Sequence, residues 1–169
     1  MCSLCLFSFG QRARADTSAL DFSAISNIAS NDDWCLGWEF DVLAPFAVTG
    51  LGVSDGTGLS PSGHAVGAWD PGGNLIASTT VYPTDPKTGA FFRFSSLTTP
   101  VTLTLGAGYV VAAVYPYPWE YGYQFFGEPD GWTVHPNITF IQDRFVASAT
   151  LQYPTEAFGE VNGWFGGTC

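Results

Sequence analysis

The sequence predicts an all-β fold: an antiparallel two-sheet β-sandwich, jelly-roll-like, built from about eight to ten short strands. Three observations carry this. The stretch from Gly37 to Thr79 alternates apolar and polar residues and is cut at short intervals by Gly, Pro, Asp and Asn, which is the pattern of half-buried strands joined by tight turns. The same pattern runs on to the end of the chain. No window of a dozen residues carries helical periodicity.

Taken in order, Asp16–Ser30 is the one segment fit for either a helical turn or an edge strand. Trp38, Phe40 and Val42 then alternate with Glu39 and Asp41, giving a first strong strand with one apolar face. Val48, Leu51 and Val53 follow Pro45, and Val66 and Ala68 lead to Trp69. Asp70-Pro71-Gly72-Gly73-Asn74 is a hairpin signal, because Pro presets φ and Gly and Asn tolerate positive φ. Further strands are expected over Leu75–Tyr82, Ala90–Leu97, Val101–Leu105 and Tyr109–Tyr115, with one or two more over Ile138–Thr150.

Composition sets the class. A chain of 169 residues, 46% hydrophobic and 16% aromatic with only 12% charged, suits one packed domain. Its formal charge of −10 would repel phosphate backbones and anionic lipid headgroups, so nucleic acid is not an expected partner. No stretch approaches the roughly 18–20 apolar residues that a membrane-spanning helix needs.

Residues 1–15 differ from the rest. A short apolar run, Leu4 to Phe9, precedes Ala13-Arg14-Ala15, an A-x-A pattern of the kind cut on export, while no basic residue precedes the run. This reads as the remnant of a truncated signal peptide, with residues 16–169 forming a single domain outside the cell or in its envelope. Cleavage after Ala15 leaves Lys87, Arg93 and Arg144 as the basic residues. Cys2 and Cys5 form a CxxC inside the remnant, with no second CxxC or spaced His pair to complete a zinc site. Cys35 and Cys169 remain, and two readings stay open for them: a disulfide closing a very long loop, or two free thiols.

LGWEFDV, VTGLGVSDGTGL, HAVGAWDPGGNLIAS, FFRFSSL, VTLTLGAGYVVAAVY, ITFIQDRF and NGWFG together resemble the DUF4082-type β-sandwich domains of secreted bacterial proteins. The resemblance spans roughly residues 34–166. It implies export, a sandwich fold and an envelope or matrix setting, and no particular activity. Many such proteins carry a PEP-CTERM sorting tail, whereas this sequence stops at Cys169 without that motif, so anchoring by that route is not expected of it.

Several residue groups invite a chemical reading. Glu39 and Asp41 stand on one strand face about 7 Å apart, like the E-x-D core of retaining glycanases. Leu43, Ala44 and Pro45 occupy the place of the further carboxylate such enzymes need, which leaves the acid and nucleophile pair incomplete. Asp55, with Asp32, Asp33 or Asp130, is a candidate Ca²⁺ cluster, set against ordinary turn-forming Asp. His64 and His135 read as structural histidines, and Arg93 and Arg144 as partners of strand carboxylates such as Glu39 or Asp41. Asn137-Ile138-Thr139 is a sequon read as chance.

Tyr115 to Trp132, YPYPWEYGYQFFGEPDGW, is the expected functional surface. Trp119, Tyr121 and Trp132 are candidate stacking faces for sugar rings, with Glu120 and Asp130 to accept hydroxyl hydrogen bonds. Phe125 and Phe126 are expected to close one end of the core, and Trp119 and Tyr121 to be exposed. The leading expectation is a non-catalytic extracellular domain with a structural, matrix or cell-surface role, associating with itself. A carbohydrate-binding module that takes polysaccharide through the 115–132 loop comes second, and a glycan-active enzyme third.

Overall fold

A computed structural model describes residues 17–25, 27–56, 58–124, 127–158, 163 and 166–169. Residues 1–15, read above as a signal remnant with a CxxC, and Phe125 and Phe126 lie outside the described residues. The structure is all-β. In chain order the strands are β1 (Leu20–Asp21), β2 (Asn27–Ala29), β3 (Trp34–Val42), β4 (Phe46–Ser54), β5 (His64–Trp69), β6 (Leu75–Val81) and β7 (Lys87–Thr88). They continue with β8 (Phe92–Leu103), β9 (Gly106–Tyr115), β10 (Tyr121–Tyr123), β11 (Thr133–Val134), β12 (Ile138–Ala147), β13 (Glu156–Ala157) and β14 (Gly167–Thr168). The number exceeds the expected eight to ten because short pairing pieces of two or three residues supplement the long strands.

The long strands form two antiparallel sheets, one ordered β13-β12-β3-β9-β5-β6 and the other β14-β4-β8-β7. The chain passes between sheets from β3 to β4, β4 to β5, β6 to β7 and β8 to β9, while β5 and β6 stay together as the predicted hairpin. Its turn is held by Asp70, whose Oδ1 accepts the backbone N–H groups of Gly72 and Asn74, each at 2.9 Å, with Gly73 at φ 77°. The Asp16–Ser30 region becomes β1 and β2. These pair with β11 and β10 as two small ribbons.

Alternation on β3 dictates the core. Leu36, Trp38, Phe40 and Val42 point inward against Leu51 and Val53 of β4, Phe92 of β8 and Val111, Ala113 and Tyr115 of β9, all buried. Cys35 points the other way, into a smaller buried cluster with Trp69, Val110, Ala112 and Val114. Glycine at position 37 is required by close approach, since a Cβ there would collide with the Val111 carbonyl and Ala112 of β9.

Among the described residues four register shifts depart from simple alternation, one of them between Ala68 and Trp69 of β5. Ala90–Leu97 and Val101–Leu105 fuse into the single strand β8, interrupted where Ser96 pairs Gly50 and Val101 pairs Val48. Pro100, which has no N–H to give a ladder, falls in that interruption. On β3 the register shifts between Phe40 and Val42, and on β12 between Phe140 and Gln142.

Candidate functional site

Among the described residues of the 115–132 segment, every aromatic ring except that of the exposed Tyr117 is buried or half-buried. Tyr121 is 5% exposed and belongs to the core cluster, correcting the expectation that it would be exposed. Trp119 is half-buried and meets the His64 ring edge-on at 6.5 Å. Trp132, also half-buried, packs edge-on against Phe140 at 5.4 Å, and Phe140 stacks on Trp38. Trp119, Tyr121 and Trp132 therefore do not make one flat platform. Glu120 and Asp130 are exposed, and Asp130 uses its backbone carbonyl to hold the Ser23 N–H at 2.7 Å.

The metal candidates also separate. Asp55 is buried and paired with Arg93, with Lys87 Nζ 3.8 Å away. Asp33 accepts the Tyr117 N–H at 2.7 Å, and Asp32 accepts the Asp33 N–H at 2.8 Å. Among the described residues no three His, Cys, Asp or Glu side chains gather as a metal cluster. The Cys35–Cys169 disulfide is absent: both thiols are free, because Cys35 faces outward from the large sheet while Cys169 packs against the inner core.

The remaining charges are absorbed locally. Arg144 reaches Glu39 through Nε at 2.8 Å and Nη2 at 2.6 Å, and Gln142 Nε2 donates to the same carboxylate oxygen at 2.7 Å. Asp41 accepts the Gly108 N–H at 2.9 Å. The expected Arg144–Glu39 pair forms, whereas Arg93 chooses Asp55. His64 is structural: its Nε2 accepts the Ser60 N–H at 3.0 Å and its Nδ1 lies 2.8 Å from the Val114 carbonyl.

What the fold builds instead is a small aromatic cleft where the β2–β10 ribbon meets β3 and β12. Its walls are Trp34 and Leu36 of β3, Tyr121 and Tyr123 of β10 and Phe145 of β12, and its volume is about 250 Å³. Asn31, just before β3, joins the two sides. Its Oδ1 accepts from the Trp34 indole at 3.0 Å and from the Tyr121 hydroxyl at 2.8 Å. Burial, and after it Tyr123, raise the Tyr121 pKa, so the phenol keeps the proton it donates. The sequence singled out only Tyr121 of this group, because the others converge from distant strands.

A second concavity, about 560 Å³, runs along β4. β14 covers only Gly52 and Val53 of that strand, and among the described residues Phe46–Gly50 have β8 on one side and no strand on the other. Thr17–Ala19, His135 and Asn137 form the far wall, and none of the lining residues is Asp, Glu, Lys or Arg.

Comparison with known protein families matches residues 23–165 to a domain of unknown function, DUF4082. The chain belongs to the DUF4082 family. Neither the curated proteins nor the solved structures gave a match. The DUF4082 match encloses the long strands β3 to β12 and the aromatic cleft, and it contains the β4 side of the groove but not the Thr17–Ala19 wall. Within it the GWEF segment has a physical account. Gly37 lets β9 approach, Trp38 and Phe40 fill the core, and Glu39 receives Arg144 on the outer face.

Proposed function

We propose that this DUF4082 domain is a non-catalytic, extracellular structural module that associates with itself through the open edge of β4. The observation that carries the reading is that uncovered edge. Unpaired strand backbone is a template for another strand, and charged side chains, the usual guard against such pairing, are missing from the groove beside it. In a chain of net charge −10, a face without acidic side chains is where two copies approach with least repulsion. The export-like start and the low content of charged residues support the extracellular setting. The non-catalytic reading is supported by Glu39 and Asp41, which are committed to Arg144, Gln142 and the Gly108 N–H rather than to a cleft.

Sedimentation velocity from low to high micromolar protein tests this, with Thr49→Glu as the comparison, since Thr49 is exposed on the open edge. The expected result is mass that grows with concentration in the native chain and stays monomeric in the variant. A monomer at every concentration would overturn the reading.

A further inference from the structure

We infer that the cleft of Trp34, Tyr121, Tyr123 and Phe145 is a binding site for one uncharged sugar residue, held by the Asn31 amide. This site is separate from the β4 edge and does not depend on self-association.

Asn31 lines the cleft. Both hydrogen bonds that fix its side chain end on Oδ1, from the Trp34 indole and the Tyr121 hydroxyl. The two N–H groups of Nδ2 have no hydrogen-bond partner among the described residues. The amide is thus oriented by two donors before any ligand arrives, and its own donors remain free to meet acceptor oxygens. The Tyr121 hydroxyl spends its proton on Asn31 and keeps lone pairs with which to accept.

The walls supply the other half of the recognition. Trp34 and Phe145 meet edge to face at 6.2 Å, and Tyr121 and Tyr123 lie 6.3 Å apart. A pyranose has an apolar C–H face that packs against such rings and a rim of hydroxyls that both donate and accept.

Other ligand classes fit less well. An anionic ligand would meet a chain of net charge −10 whose three cations in the described residues, Lys87, Arg93 and Arg144, are already paired with carboxylates. A purely apolar ligand would cover the Asn31 N–H groups without replacing their water, which costs binding energy. The volume of about 250 Å³ lies below the range of roughly 300–1,000 Å³ of drug-sized pockets, which favours one ring over an extended ligand.

Saturation-transfer NMR and calorimetry on the full chain, with the methyl glycosides of glucose, galactose, mannose and N-acetylglucosamine, would test the site. Methyl glucuronoside serves as the anionic probe and indole as the apolar one. The expected result is saturable binding of at least one neutral glycoside, weakened about tenfold or more by Asn31→Asp, which keeps the acceptor but removes both N–H donors. Thr49→Glu, on the β4 edge and outside the lining of this cleft, should retain binding. Binding of indole or the glucuronoside alone, binding unchanged in Asn31→Asp, or no binding by any neutral glycoside would each overturn the assignment. A matching unfolding midpoint for Asn31→Asp separates lost recognition from lost fold.

Discussion

Asp143 of β12 stands directly across the ladder from Trp38 of β3, and both side chains are wholly buried. Among the described residues neither carboxyl oxygen of Asp143 has a hydrogen-bond partner, and Gly163 packs so close that a Cβ there would collide with the carboxyl. Burial pushes the Asp143 pKa up to about 8.

The first prediction follows from that buried acid. A carboxyl whose ordinary value is 3.8 ionises early in the unfolded chain but stays protonated in the fold. Between about pH 4 and pH 8 the folded state therefore holds this proton more firmly than the unfolded chain, and the contribution of Asp143 to stability falls as pH rises through that window. Asp143→Asn cannot ionise and keeps the shape. It should leave stability near pH 4 little changed and raise it by about 2–4 kcal/mol at pH 8. Urea unfolding at the two pH values measures this, and equal gains at both would refute it.

His64 has the opposite sign. Burial lowers its pKa, outweighing the Val114 hydrogen bond and the field of Asp55, which raise it. The unfolded chain then takes up the proton first, so this contribution is fully present above about pH 6.5 and is lost as pH falls. Because Asp143 slopes the other way across the same range, the effect is best read in the Asp143→Asn background. There, stability should decline from pH 6.5 toward pH 5, and His64→Gln should flatten the decline while costing about 1–3 kcal/mol overall.

Asp143 also marks where reading the sequence stopped. The strands, the Asp70 hairpin and the inward Trp38–Phe40 face were legible, because each follows from local alternation or turn chemistry, whereas for Arg93 and Arg144 only a general carboxylate partner such as Glu39 or Asp41 was legible. Strict alternation from Ile138 and Phe140 would send Asp143 outward. The bulge between Phe140 and Gln142 reverses the face, placing Asp143 and Phe145 inside. The cleft was illegible for a different reason. Asn31 and Tyr121 are 90 positions apart, and only the pairing of β2 with β10 brings them together. The loop aromatics did mark the region, but which rings would be exposed depended on packing that no local pattern encodes.

The buried Asp55–Arg93 pair yields a third prediction. The Asp55 side chain is 7% exposed, so removing Arg93 leaves a buried charge with only the more exposed Lys87, 3.8 Å away, to offset it. Arg93→Met should cost about 3–5 kcal/mol. Lys87, which is much more exposed and 3.8 Å from the carboxylate, should matter by less than about 1 kcal/mol when replaced by Met. Asp55→Asn combined with Arg93→Met should lose less than the two single changes added together, since the stranded charge is gone. Thermal and urea unfolding of the four variants would show whether the coupling exists, and strict additivity would remove it.

The cysteines give the last test. Cys35 is wholly buried, and its thiol donates to the Gln152 carbonyl at 3.3 Å. Burial pushes its pKa up to about 11 and that of Cys169 up to about 12. Alkylation requires the thiolate, so at pH 8 both should react with iodoacetamide at least about 100-fold more slowly in the folded chain than after unfolding. Peptide mass spectrometry resolves the two positions separately from Cys2 and Cys5. Full labelling of Cys35 and Cys169 on unfolding without a reductant is the expected outcome. Labelling that appears only once a reductant is added would mean that the two are joined, and would contradict the placing of Cys35 on the outer face of β3 and Cys169 against the inner core.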